Sequence, residues 1–77
     1  LGDVYKRQNE AITQLKHVLT IDKNHVDARY NLGLALFMKN EDIDEAITHF
    51  KEAVTIDPKH LLSQHALKTF TKMKEEE

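Results

Sequence analysis

Apolar positions along the chain recur every three or four residues, the spacing of a helix that is buried along one face. The pattern is clearest in two segments. In Glu10–His25 the apolar stripe consists of Ala11, Ile12, Leu15, Val18 and Leu19. In the second segment, which ends at His60, it consists of Ile43, Ala46, Ile47, Phe50, Ala53 and Val54. The spacing predicts one amphipathic helix in each segment.

The two segments are also copies of one another, displaced by 35 residues. Glu10–His25 and Glu45–His60 are identical at nine of 16 positions, where chance gives about one identity. Most of the differences are conservative, such as Leu15 against Phe50. A repeat of this period is typical of helical-repeat proteins, whose units bury their apolar faces by stacking on neighbours.

A third helix, Val26–Lys39, is predicted between the copies. It is apolar almost all round, so we expect both of its sides to be buried. Gly33 lies in its middle, where Gly costs about 1 kcal/mol relative to Ala, so close approach of a neighbouring helix is expected there. The polar turn that follows supplies Asn40 or Asp42 as the cap of the next helix.

A fourth helix is predicted over His60–Lys74. Pro58 ends the second copy, because the residue before a proline is pushed out of the helical conformation. The apolar stripe of the fourth helix consists of Leu62, Ala66, Phe70 and Met73. We expect Glu75–Glu77 to be an acidic tail in solvent.

The segment Ala28–Pro58 resembles the tetratricopeptide repeat family, whose unit is a pair of helices of about 34 residues. The matching positions, which we treat as repeat-defining, are Leu32, Gly33, Leu36, Ala46, Phe50, Ala53 and Pro58, with Ala11 in the first copy. Arg29 stands where the family usually has Trp, and the turn near Asn40 is one residue longer than usual. We expect both departures to lie at the surface or in a turn.

The resemblance implies an all-α fragment of a solenoid, with three to four antiparallel helices plus a C-terminal capping helix. Residues 9–25 are then the second helix of a truncated repeat, residues 26–58 a complete repeat, residues 59–74 the cap and residues 75–77 the acidic tail. The cap assignment depends on Lys68, which stands at the position of Gly33, and on Thr69, Thr71 and Lys72, which replace apolar residues.

Residues 1–8, LGDVYKRQ, have a different origin on our interpretation. The repeat alignment fails before Asn9, and the string resembles a sequencing-library adapter that has been translated in frame. We therefore expect a non-native segment on a metagenomic gene fragment, with native sequence extending further towards the N-terminus. The alternative is a genuine first helix that is cut short. A continuous genomic reading frame that encodes these residues would contradict the adapter hypothesis.

Charge and chemistry exclude several classes of function. The chain has 11 basic and 13 acidic residues, whereas a charge-driven nucleic-acid binder has a basic excess. It has no Cys, its five His residues lack metal-ligand spacing, and we expect no metal, cofactor or membrane contact. His25 and His60 stand at equivalent helix junctions, which favours structural or surface roles over metal binding. No catalytic motif is present, since the acids near Asp44 fit a helix N-terminus, so we expect no enzyme.

The remaining function is binding of a protein or peptide. In the family, the first helix of each unit lines a concave groove, and the resemblance places there Tyr30, Asn31, Leu34, Phe37, Met38, His65 and Thr69. Core packing is the favoured role for Leu34. Leu62 and Ala66 are apolar where some members carry cations that hold a terminal carboxylate, so no such clamp is expected.

Two alternatives to a binding scaffold stay open from the sequence. The chain is either the structural C-terminal end of a longer array or an accessory region of a larger enzyme whose active part lies upstream. Upstream sequence separates them, because further repeats indicate a scaffold and a catalytic motif indicates an enzyme. The lack of Cys and of targeting signals favours a cytoplasmic location.

Overall fold

Four consecutive helices make up the computed structural model, which describes residues 2–77. They are α1 (Gly2–Ile21), α2 (Val26–Asn40), α3 (Ile43–Ile56) and α4 (Leu61–Glu75). Each helix packs on the next in the chain, and Lys74 near the end of α4 pairs with Asp44 at the start of α3, so these two helices run antiparallel. The all-α helical-repeat fold that the sequence predicts is confirmed.

Helix α1 extends beyond the first copy of the repeat at its N-terminal end. It begins at Gly2 and continues through residues 2–8 without a break, although residues 2–7 are all exposed. Leu1, the first residue of the predicted adapter-derived segment, lies outside the described residues. The origin of this segment stays a prediction. At the other end of the chain, α4 includes Glu75, the first residue of the predicted tail.

Two apolar clusters hold the helices together, and α2 contributes to both. The first joins α1 and α2 through Ile12, Leu32 and Leu36. The second joins α2, α3 and α4 around Ala46, Phe50 and Ala66, with half-buried Tyr30, Leu34, Phe37, Leu67 and Phe70 packed against them. The prediction that α2 is buried on both sides is therefore confirmed, and its nearly continuous apolar sequence is the reason.

Gly33 is the point of closest approach between α2 and α3. A Cβ atom built at Gly33 would lie 2.9 Å from Cε1 of Phe50 and 3.2 Å from Cβ of His49. Phe50 is fully buried, so its ring has little space into which it could move. The expectation of a close helix contact at this glycine is confirmed.

The turn between α2 and α3 is closed by a carboxylate cap. A side-chain oxygen of Asp42 accepts a hydrogen bond from the backbone N–H of Glu45 at 3.1 Å. Asn40 is the last residue of α2, so Asp42 is the cap of the two that the sequence offered. Glu41 between them adopts a left-handed conformation (φ 54°), and its N–H donates to the carbonyl of Phe37.

The buried face of α4 differs from the predicted stripe. Leu62 was expected on that face but is 59% exposed, whereas Ser63 is fully buried beside Ala66. Apolar spacing misplaces the face because a serine counts as polar, although its hydroxyl here contacts His60 and is therefore satisfied. The buried face is turned towards Ser63, Ala66 and Phe70.

Arg29 is the second correction, because its side chain is only 18% exposed rather than at the surface. One guanidinium nitrogen lies 3.0 Å from a carboxylate oxygen of Glu52, and the other donates to the carbonyl of Lys23. The aliphatic stem can be buried where the family has Trp, because the two terminal guanidinium nitrogens are paired, although Nε has no partner within residues 2–77.

Ala11, a repeat-defining residue of the first copy, is not buried as its counterpart in the second copy is. Its equivalent in the second copy, Ala46, is fully buried, whereas Ala11 is exposed. The difference arises because α3 packs against the helix that precedes it, α2, whereas within residues 2–77 no helix precedes α1. In that range Ala11 therefore lacks the neighbour that covers Ala46.

We predict that Gly33→Ala destabilises the protein. Overpacking of a buried site costs about 1 to 3 kcal/mol, and Ala gains about 1 kcal/mol over Gly in a helix. Because the fully buried Phe50 ring cannot move away, we expect the cost to lie in the upper part of its range and to exceed the gain. Urea unfolding measures the change. Gly2→Ala is the matched control, because a Cβ there meets nothing within 4 Å, and its effect should be small. An unchanged or raised stability of Gly33→Ala would show that α3 does not approach α2 this closely.

Candidate interaction surface

Helices α2 and α4 lie side by side through pairs of rings. The ring centroids of Phe37 and Phe70 are 4.9 Å apart with the planes nearly perpendicular, and those of Tyr30 and His60 are 5.7 Å apart. Phe50 of α3 stands behind both pairs, 5.8 Å from Tyr30 and 5.0 Å from Phe70. Edge-to-face contacts of this kind stabilise the arrangement and hold the two helices in register.

The residues predicted to line the groove divide into two sets. Tyr30, Leu34 and Phe37 are half-buried and pack against the second apolar cluster, which for Leu34 agrees with the expected core role. The others are exposed on α2 and α4: Asn31, Met38, His65 and Thr69. The first set therefore contributes packing between the helices, and the second set is free to meet a partner.

Two of the exposed residues share a shallow hollow on α4. His65 and Thr69 line it together with Lys68, Lys72, Met73 and Glu76. The hollow carries two ammonium groups and one carboxylate, so it suits a polar peptide segment better than an apolar one. Lys68 and Lys72 were not among the predicted groove residues, although their spacing of four along a helix indicates a shared face.

A chain of contacts joins Ser63, His60 and Asp27. Ser63 and His60 lie three residues apart at the start of α4, and Asp27 comes from α2. Nδ1 of His60 lies 2.6 Å from the hydroxyl oxygen of Ser63, and Nε2 lies 2.8 Å from Oδ1 of Asp27. The residue types are those of a hydrolytic triad. A short sequence motif cannot reveal this set, because Asp27 lies in α2, 33 residues before His60.

The geometry of this set is that of a helix cap and not of a nucleophile. Ser63 is fully buried, so no substrate could reach its hydroxyl. Nδ1 of His60 also accepts the backbone N–H of Ser63 at 3.2 Å, which satisfies an amide of the first turn of α4. With its proton on Nε2, the ring donates to Asp27 and links the start of α4 to the start of α2.

The same cap recurs one repeat earlier. Nδ1 of His25 accepts the backbone N–H of Ala28 at 3.0 Å, in the first turn of α2. His25 and His60 are therefore equivalent N-caps, and the structural role predicted for them is confirmed. Only His60 has an aspartate within reach of its second nitrogen among the described contacts.

His49 lies partly buried between charged side chains. Burial lowers the pKa of His49 below 6.5, and Arg29 and Lys16 lower it further, while Glu52 and Glu45 oppose them. Its Nδ1 is buried and has no hydrogen-bond partner within residues 2–77. The Cβ of His49 lies at the close contact between α3 and Gly33 of α2.

Residues 2–77 contain no group of three or more His, Asp or Glu side chains placed to hold a metal ion. Within the same range, no helix has the length and apolar character needed to cross a membrane.

We predict that His60→Ala destabilises the protein more than His25→Ala. Each substitution removes an N-cap, which costs about 1 kcal/mol. His60→Ala also removes the link to Asp27 and leaves the buried hydroxyl of Ser63 without its partner, which adds about 1 kcal/mol or more. Urea unfolding of the two variants measures the difference. Equal losses would show that the contact with Asp27 contributes nothing.

We predict that stability falls as the pH falls through the range near 6.5. Since the folded state depresses the pKa of His49, its contribution is fully present above the unfolded value of about 6.5 and is lost towards the folded value. In His49→Gln the slope of unfolding free energy against pH should be shallower. His17→Gln is the control at an exposed histidine. If both variants keep the wild-type slope, His49 is not the responsible group.

Comparison with known families agrees with this geometry. The family described as TPR repeat matches residues 2–40, and the family described as Tetratricopeptide repeat matches residues 26–60. A comparison with curated proteins gives no match. The first match covers more than half of the chain. The second spans α2 and α3, the two helices that meet at Gly33 and Phe50. The chain belongs to the tetratricopeptide repeat family.

Proposed function

We propose that this chain is a protein-interaction scaffold whose ligand surface is formed by Asn31 and Met38 of α2 with His65 and Thr69 of α4. Repeats of this family are in general protein-interaction modules. The observation that carries the proposal is the ring contact between α2 and α4. It fixes the two helices side by side through Phe37 and Phe70, while these four side chains stay exposed.

The chemistry of the surface suits an extended or amphipathic peptide segment. Asn31 offers a donor and an acceptor that can pair with a ligand backbone. Met38 is 66% exposed, and its flexible thioether adapts to apolar side chains of varied shape. The clamp by which some family members hold a terminal carboxylate is not expected, because Leu62 and Ala66 supply no cation at its positions. The cations near this surface are Lys68 and Lys72 of the hollow on α4.

We also propose that α4 ends the stack of helices. Lys68 and Thr71 are exposed on its outer side, where the equivalent positions in α2 are the buried Gly33 and Leu36. A polar outer face is what the last helix of a repeat array needs. A scaffold and an array end are compatible, because His65 and Thr69 line the hollow on one side of Lys68 and Thr71 lies on the other.

Selection of peptides from a displayed library on the 77-residue chain tests the binding proposal. Peptides that bind should lose at least about tenfold in affinity to Met38→Arg and to Thr69→Arg, since both place a long cation in the surface; tenfold corresponds to about 1.4 kcal/mol. Fluorescence anisotropy measures the affinities, and circular dichroism checks that each variant stays folded.

Thr48→Arg is the matched control, because Thr48 is exposed on α3 and lies outside the proposed surface. Retention of binding by Met38→Arg and Thr69→Arg, or an equal loss in Thr48→Arg, would contradict the proposal.

A further inference from the structure

A second open groove lies between α3 and α4. Its floor is formed by Val54 and Leu67, which are half-buried, and its edges by Gln64, Lys68, Thr71, Lys72 and Glu75. The groove is mostly apolar and has a volume of about 570 Å³. Lys68 and Lys72 also border the hollow of His65 and Thr69, so these two lysines form the ridge between the two surfaces.

The repeat shows what kind of element fits this groove. With the repeat period of 35 residues, Gln64 and Lys68 of α4 are equivalent to Arg29 and Gly33 of α2. In α2 those positions contact α3, since Arg29 pairs with Glu52 and Gly33 lies against Phe50. One repeat earlier, the positions equivalent to this edge of the groove are covered by a helix, α3. Within residues 2–77 no helix lies there.

The charges of the groove define the occupant further. Lys68 replaces Gly33, so the occupant cannot approach α4 as closely as α3 approaches α2. Lys68 and Lys72 are one helical turn apart, and Glu75 is the one carboxylate on the edge. The stems of both lysines can lie along the apolar floor with their ammonium groups facing the occupant. Carboxylates on the occupant would pair with them.

We propose that the groove between α3 and α4 docks an amphipathic helix of a partner protein, with apolar side chains on Val54 and Leu67 and carboxylates against Lys68 and Lys72. A helix laid into an apolar groove is a common mode of peptide recognition. The two lysines are exposed, so the association weakens as salt is raised. This surface is separate from the one formed by Asn31, Met38, His65 and Thr69.

A peptide with the sequence of α3 provides the probe. In the packing of α3 on α2, position 49 faces the glycine position that Lys68 occupies in α4, and position 45 lies one turn away, towards Lys72. The acidic probe therefore carries Glu45 and the substitution His49→Glu. A hydrocarbon staple between positions 44 and 48, on the outer face, keeps the short helix formed. The basic probe carries Glu45→Lys and His49→Lys instead.

The titration is followed by the NMR signals of the 77-residue chain. The acidic probe should shift the methyl signals of Val54 and Leu67, and its affinity should fall at least about tenfold in the double variant Lys68→Glu/Lys72→Glu. That double variant should instead bind the basic probe. Lys59→Glu, an exposed charge change outside the groove, should keep the wild-type affinity for the acidic probe.

Three results would overturn the proposal. One is the absence of any shift of the methyl signals of Val54 and Leu67 when the acidic probe is present at about 1 mM, a concentration at which even weak binding would be seen. Another is failure of the charge-reversed chain to switch its preference between the probes. The third is self-association of the chain that Lys68→Glu abolishes, because a second copy would then be the occupant. Met38→Arg should leave the titration unchanged, which separates this test from that of the peptide surface.

Discussion

The packing of the Phe50 ring is the contact on which the arrangement of α2, α3 and α4 depends. The ring is fully buried and lies against Gly33, which is the only residue type that leaves room for it on α2. It also contacts the rings of Tyr30 and Phe70, so one side chain of α3 touches both neighbouring helices. Small residues around it, such as Ala46, let the helices approach closely enough to enclose it.

This contact determines which side chains are available for binding. Because the half-buried rings hold α2 beside α4, positions on their outer sides are presented on rigid helices, which suits recognition better than a mobile loop would. The histidine cap adds a second link between the same two helices, since His60 joins the start of α4 to Asp27 of α2. The surface therefore owes its shape to interactions that lie beneath it.

Much of the fold could be predicted from the sequence, because a duplicated stripe of apolar residues specifies both the helices and their partners. Gly33 was identified because a glycine inside a helix indicates close approach of a neighbouring helix, and Asp42 was one of the two caps that the polar turn offered. The polar network could not be predicted from the sequence. Ser63 is buried beside His60, which in turn contacts Asp27 of α2. The spacing of residues within one helix carries no information about a partner on another helix. Tyr30 was assigned to the groove alone, because exposure depends on how far a neighbouring helix covers a ring.

Native-state hydrogen exchange of Phe50→Leu tests the role of this ring most directly. The substitution places at position 50 the residue type of its counterpart, Leu15, and leaves a cavity beside Gly33. If the ring joins three helices, amide protection should fall together in α2, α3 and α4, because they open as one unit. A loss confined to α3, with protection in α4 unchanged, would contradict the account.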